Sequence, residues 1–351
     1  MKKQKRLLIT GGGTFGHIAP ALTLKRHFER AGYKIQYICA KRDRKFPFYK
    51  AEKSVKTLSL SGLPRSGKLS QLGFFVKLAK ATIVALFHFI AFWPQAVLAT
   101  GGFVTFPYLF WARFFRKKIF ICEQNSFPGL VNRLFSPKAV QVFTSMPDQS
   151  GKLKGNMVMC GNPVEIRRYE KAEAAKILNI NYDPGKKYLG VLGGSQGAEA
   201  INQWILREQR ELSGQGYQII MSVGQKSYQE LLPKVSETAL TLFPFIENMG
   251  AFYSLCDLFI SRSGASSIAE YFYFMKPVIF VPYPHASDNH QYFNARFALE
   301  YLDGSLIHES ELAKRDLLEV LSLLESSQNR KENPFTDPVG IIFNRIDGVV
   351  P

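Results

Sequence analysis

The strongest constraint in this sequence is a repeated unit: an apolar run, a glycine-rich turn, then a helical pattern. It heads the first half, where Arg6 to Thr10 runs into Gly11-Gly12-Gly13-Thr14-Phe15-Gly16-His17 and a helix to about Arg30, ended by Gly32 and followed by a second apolar run, Lys34 to Ala40. It heads the second half at Tyr188, where YLGVL meets Gly193-Gly194-Ser195-Gln196-Gly197 and another helix. In a third variant, Leu255 to Ile260 leads into Ser263, Gly264, Ala265, Ser266 and Ser267, then a helix from about Ile268 whose first turn carries Glu270. Ser266 or Ser267 suits the N-cap of that helix. A strand over Pro277 to Val281 and a loop rich in Pro, His and Asp complete this stretch. Strand, glycine turn and helix in succession predict an α/β fold with parallel sheets, ligands at the carboxyl ends of the strands and anions at the helix starts.

A chain of 351 residues is long enough for two such domains. The turn Gly161-Asn162-Pro163-Val164 closes the first, and the polar, helix-prone stretch Arg167 to Leu178 serves as linker, so the expected domains are 1–165 and 166–351, with the final residues expected to pack back on the first. Charge separates the halves. Residues 1–165 hold 27 Lys and Arg against 6 Asp and Glu, and residues 166–351 hold 18 against 22. A basic first half points to an anionic partner, nucleic acid or membrane. Cys39, Cys122, Cys160 and Cys256 form no C-x-x-C pair, as expected of reduced, buried thiols in a cytosolic protein. The apolar part of the N-terminus, Leu7 to Ile9, is too short for a signal-peptide core and fits a first strand.

Gly11, Gly13 and Gly16 satisfy the dinucleotide pattern G-x-G-x-x-G. A dinucleotide site also wants an acid at the end of the second strand, and here Ala40 is followed by Lys41 and Arg42. NAD loses ground on that account, while those bases leave room for the 2′-phosphate of NADP. The loop offers backbone N–H groups to a phosphate, with His17 beside them. Gly101-Gly102 with Thr105 and Pro107 reads as a further strand-to-helix turn, and Glu123-Gln124-Asn125 follows a buried strand at the same sheet edge. Between these lie two aromatic-basic segments. Leu69 to Lys80 is amphipathic, with Leu72, Phe75, Val76 and Ala79 on one face and Lys77 and Lys80 elsewhere, and Ala81 to Trp93 is apolar nearly all round; Phe74, Phe75, Lys77, Lys80 and Phe87 are candidates for membrane contact. Counted from Ala81 the run is thirteen residues, short of the ~20 that span a bilayer. Tyr108 to Lys118 repeats the mixture with Trp111, Arg113 and Arg116. A core helix is one reading and single-stranded nucleic acid another. Aromatics embedded in helical apolar runs beside basic residues favour an interfacial helix against an anionic membrane, and no nucleic acid.

Several of these stretches resemble one family. Gly11 to Pro20, Gly101 to Pro107, Glu123-Gln124-Asn125, Gly161 to Val164, Gly193 to Ala198, Arg262-Ser263-Gly264-Ala265 with Glu270, and Gln291 with Asn294-Ala295 are similar, in order, to motifs of the MurG family of N-acetylglucosaminyltransferases. The resemblance implies the GT-B fold, two Rossmann-like domains whose parallel sheets face each other across a cleft. It implies an inverting enzyme on the cytoplasmic face of the cell membrane, peripheral, moving N-acetylglucosamine from UDP-N-acetylglucosamine to the C4 hydroxyl of the muramoyl sugar of lipid I, which gives lipid II for peptidoglycan. No cofactor is implied.

The implied donor residues are Thr14, Phe15, Gly16, Asn125, Ser195, Ile246, Ala265, Ser266, Ser267, Ile268, Glu270 and Gln291. The implied acceptor-diphosphate residues are Gly13, Gly16, His17, Gly102 and Thr105. His17 is the first candidate for the base and Glu123 the second. Phe15, Phe103, Phe106 and Glu165 depart from the family pattern; a carboxylate at Glu165 cannot pair a diphosphate, and Arg167 or Arg168 stands near enough to replace the lost cation. No D-x-D occurs, and His285, Asp288 and His290 share one short loop without a fourth ligand, so no metal is expected. A UDP-sugar transferase acting on another membrane lipid is the alternative within this class, and an NADP-dependent oxidoreductase the alternative outside it.

Overall fold

The computed structural model describes residues 4–45, 52, 54–62, 68–193, 198–235, 239–326 and 332–350. Among them every strand pairing is parallel, and the strands fall in two sheets. Two units divide the chain: Met1–Val164 with Phe335–Pro351, and Glu165–Pro334.

The first unit runs β1 (Arg6–Gly11), α1 (Phe15–Arg30), β2 (Lys34–Ala40), β3 (Val55–Leu58), α2 (Lys68–Phe92), β4 (Ala96–Gly101), α3 (Phe106–Phe114), β5 (Lys118–Glu123), α4 (Leu130–Phe135), β6 (Gln141–Thr144) and β7 (Met157–Met159). The sheet order is β3-β2-β1-β4-β5-β6-β7. A parallel sheet covered on both faces needs apolar residues at successive positions, which is why Leu7-Leu8-Ile9 shows no polar alternation. Leu7 and Ile9 join one layer with Ala21, Leu24 and Phe28 of α1, while Leu8 joins the other with Phe89 of α2 and Leu109 of α3. The chain reverses direction across the sheet between β1 and β4. The turns that follow those two strands are therefore neighbours.

Helix α2 is longer than the apolar run from Ala81. The amphipathic and apolar segments join without a break, and Ser70–Phe92 is by length and composition able to cross a membrane. One face is nonetheless core: Phe74, Ala81, Ala85, Phe89 and Phe92 are buried.

The second unit runs α5 (Lys171–Ile177), β8 (Lys187–Leu192), α6 (Glu199–Gly214), β9 (Tyr217–Ser222), α7 (Gln225–Leu231), β10 (Leu240–Phe243), α8 (Met249–Leu255), β11 (Leu258–Ser261), α9 (Ala265–Phe274), β12 (Val278–Phe280), α10 (His290–Ala298), β13 (Gly304–Leu306) and α11 (Leu317–Ser326). Its order, β10-β9-β8-β11-β12-β13, puts the reversal between β8 and β11. The glycine turn after β8 and the small-residue turn after β11 thus head adjacent strands. The last helix, α12 (Pro338–Asp347), belongs to the first unit. It buries Ile342 and Ile346 against α1, and its Asp347 accepts from Lys5 and Tyr33.

Candidate active site

In the first unit the site is built on β1, β4 and β5. The turn after β4 lies so close to the turn after β1 that neither Gly101 nor Gly102 can carry a side chain. A Cβ on Gly101 would lie 2.6 Å from His17 Nδ1, and one on Gly102 2.1 Å from Gly12 O; both residues also take positive φ. His17 stands in the first turn of α1, half-buried, with its carbonyl accepting from Thr100 Oγ1 at 2.7 Å. Its Nδ1 is 3.0 Å from Gln124 Oε1, and Gln124 Nε2 donates to Cys122 O at 3.2 Å. The second bond fixes which end of the Gln124 amide faces the ring. An amide oxygen accepts, so Nδ1 carries a proton, and in the neutral ring the lone pair is then on Nε2. That is the tautomer a general base needs.

Other first-unit residues differ from expectation. Glu123 is 2% exposed, and its carboxylate accepts from Asn125 N, Gly129 N and Asn132 Nδ2 at 3.0, 2.9 and 2.8 Å. With its lone pairs held by the loop it shapes, it is not placed to act as a base. Gly13 N–H is occupied by the buried Asp43 carboxylate at 2.9 Å, and its carbonyl by Arg42 Nη2 at 3.1 Å, so Gly13 offers no donor to a diphosphate. Thr105 is fully buried, with its hydroxyl donating to Gly102 O at 2.7 Å, and is likewise no ligand. What opens beside this loop is a pocket of about 120 Å³ lined by Gly12, Thr14, His17, Arg42 and Gly102 among others. Arg42 is its cation. Thr14 and Phe15 are exposed, while Gly16 and Asn125 are half-buried.

In the second unit the turn after β11 carries the site. The N-cap of α9 is Gly264, not Ser266 or Ser267, and no side chain caps it. Ile268 N bonds Gly264 O at 3.0 Å as the helix begins. The N–H groups of Ala265, Ser266 and Ser267 lie ahead of that first intrahelical bond and have no helical acceptor, which suits them to an anion. Ile268, by contrast, is fully buried with its N–H in the helix, and so is not a ligand. Ser266 Oγ is buried and has no hydrogen-bond partner. One turn on, half-buried Glu270 accepts from Tyr253 Oη at 2.7 Å. Burial raises the Glu270 carboxyl to about 7, against the opposing pull of the Tyr253 hydroxyl. Gln291 is half-buried at the start of α10, and Ile246, 2% exposed, follows β10. Ser195 lies outside the described residues. Arg168 is occupied by the Tyr273 carbonyl and ring, and Arg167 pairs with Glu173.

The membrane expectation divides by residue. Phe74 is 3% exposed and packs edge-on against Phe103, so it belongs to the core. Trp111 is half-buried, its indole N–H donating to Thr82 O at 2.7 Å and tying α3 to α2. Phe75, Lys77, Lys80, Phe87, Arg113 and Arg116 are exposed, beside exposed Leu72, Ile83, Ile90 and Phe114. The functional partners that sequence reasoning missed are Asp43, Tyr253 and the Gln124–His17 bond. Gln124 was visible as a polar residue after a strand, but nothing in the sequence couples it to a histidine 107 positions away.

Two family models match: the glycosyltransferase family 28 N-terminal domain over residues 7–144 and the family 28 C-terminal domain over residues 188–338. A UDP-N-acetylglucosamine--N-acetylmuramyl-(pentapeptide) pyrophosphoryl-undecaprenol N-acetylglucosamine transferase of Flavobacterium psychrophilum is 33% identical over 340 residues, covering 94% of this chain and 92% of the relative. The enzyme of the same name from Halothermothrix orenii is 31% identical over 339 residues, covering 93% and 91%. The crystal structure of Acinetobacter baumannii MurG superimposes with a TM-score of 0.72 at 21% identity, over 99% of this chain and 100% of that one, and shows the same GT-B fold. By these matches the chain belongs to glycosyltransferase family 28, in the family of N-acetylmuramyl-(pentapeptide) pyrophosphoryl-undecaprenol N-acetylglucosamine transferases.

Proposed function

We propose that this chain transfers N-acetylglucosamine from UDP-N-acetylglucosamine to the C4 hydroxyl of the muramoyl sugar of lipid I, with inversion, to form lipid II. The relatives' activity supplies donor and acceptor. The observation that carries the reading to residues is the orphaned Ser266 hydroxyl, buried beside three helix-start N–H groups and one turn from Glu270. A native protein rarely leaves such a group unpaired, and a bound diphosphate supplies the acceptor. Glu270 then takes the ribose hydroxyls, Ile246 meets the uracil through its backbone, and Gln291 reads the sugar. In the first unit, Arg42 and the start of α1, from Thr14 to Gly16, hold the acceptor diphosphate. The C4 hydroxyl gives its proton to His17 Nε2 while its oxygen attacks the anomeric carbon. The bond from that carbon to UDP breaks, and UDP leaves with the electron pair, stabilised by the first turn of α9.

The outward face of α2 and α3 supports peripheral attachment at the cytoplasmic side of an anionic membrane, the apolar side chains entering the acyl boundary and the basic ones meeting headgroups. The polyprenyl tail of the acceptor would lie in that same bilayer.

Ser266→Ala tests the donor site without disturbing the fold. The hydroxyl makes no bond in the free protein. Its removal should leave the melting temperature unchanged or slightly raised, yet weaken UDP-N-acetylglucosamine about fivefold, the worth of one hydrogen bond. Unchanged affinity in titration calorimetry would remove Ser266 from the site.

A further inference from the structure

The carboxyl edge of the second sheet holds a buried arginine that no ligand role above uses. Arg262 follows β11 and is 8% exposed. Its Nη1 donates to the carbonyls of Val281 and Pro282 at 3.0 and 3.2 Å, the two residues that follow β12. Its Nη2 pairs with the carboxylate of Glu309, in the turn after β13. The guanidinium carbon lies 5.5 Å from the centre of the Tyr283 ring. One planar fork thus ties together the ends of three adjacent strands, a task that needs several donors in fixed directions and that lysine cannot perform.

The segment so held ends at Tyr283, whose N–H donates to Gln291 Oε1 at 2.9 Å. Ser263, next to Arg262, donates from Oγ to Gln291 O at 2.7 Å. A glutamine amide has one acceptor oxygen and an NH₂ with two donors. With a backbone donor on the oxygen, Gln291 keeps its Nε2 for whatever it meets, and the amide has no reason to flip. We propose that the Arg262–Glu309 clamp fixes Gln291 as a hydrogen-bond donor to the sugar of the nucleotide donor, so that Arg262 and Glu309 are positioning residues for sugar selection. This rests on the reading of the ligand as a UDP-sugar. The clamp acts on the loop after β12 and on α10. The groups assigned to phosphate and ribose sit on α9. Nucleotide affinity and sugar affinity should therefore separate.

The experiment is titration calorimetry of UDP and of UDP-N-acetylglucosamine on the full chain. In Glu309→Gln the sugar nucleotide should weaken about five- to tenfold, while UDP stays within about twofold. Gln291→Glu still accepts from Tyr283 but presents only oxygen to the sugar, and should show the same separation. Tyr283→Pro deletes the N–H that Gln291 accepts, and with it the ring beside Arg262, but keeps both members of the Arg262–Glu309 pair. It should reproduce the effect, and it carries the test if Glu309→Gln does not fold. Parallel loss of both ligands, no loss in folded variants, or a wild type that gains nothing from the sugar would each overturn the proposal. A wild type that binds neither ligand would instead refute the UDP-sugar reading itself.

Discussion

His17, proposed above as the base, illustrates how one neighbour sets a tautomer. Gln124 fixes its tautomer and leaves Nε2 as the acceptor. His17→Ala should lower kcat by about two to four orders of magnitude, the usual worth of general base catalysis, with donor affinity unchanged. Gln124→Glu places a carboxylate on Nδ1 and favours the imidazolium, so the acid limb of the pH–rate profile should move to higher pH. An unmoved limb would mean that Gln124 does not govern the base. Glu270 gives a second pH test. Its carboxyl lies near 7 because burial penalises the charge. Ribose hydroxyls donate best to the ionised form, so affinity for UDP-N-acetylglucosamine should rise between pH 6 and 8, by about tenfold at most per unit below the pKa. The rise should vanish in Glu270→Gln. UDP-N-acetylglucosamine is the right probe because its diphosphate is doubly esterified and does not titrate in this range.

At the scale of elements, strands and glycine turns were legible because buried parallel strands read as apolar runs and the turns after them need small residues. The boundaries of function within them were not. Ser266 reads as a cap because hydroxyls favour that position, yet Gly264 takes it and the Ser266 hydroxyl is left buried without a partner. Glu123 reads as a base from its place at the end of β5, but two backbone donors from the following loop and the Asn132 amide of α4 surround it. Helix α2 shows the same limit: Phe74 and Phe75 are neighbours in sequence and equally apolar, and only packing decides that the first is core and the second outside. Two substitutions separate those faces. Phe89→Ala, on the buried face, should cost about 3–5 kcal/mol in denaturant unfolding. Phe87→Glu, on the exposed face, should leave stability within about 0.5 kcal/mol and reduce co-sedimentation with vesicles containing anionic lipid. Equal vesicle binding by wild type and Phe87→Glu would remove α2 from the membrane contact.

For the whole molecule, the asymmetry of charge matches a division of labour. The basic first half carries the exposed apolar helix face and the Arg42 pocket, both suited to an anionic lipid and its diphosphate. The near-neutral second half carries the groups proposed to bind the donor, on α9 and α10. Association with anionic vesicles should weaken as salt rises, because surface charges are screened within about 10 Å at 0.1 M ionic strength, and the apolar contribution should persist as a residual. The most direct measurement is transfer of labelled N-acetylglucosamine from UDP-N-acetylglucosamine to a lipid I analogue by wild type and by Glu270→Ala. Labelled lipid II is expected from the wild type, with a large loss in the variant. A wild type that binds the sugar nucleotide yet leaves lipid I unlabelled, or a variant as active as the wild type, would contradict the proposed function.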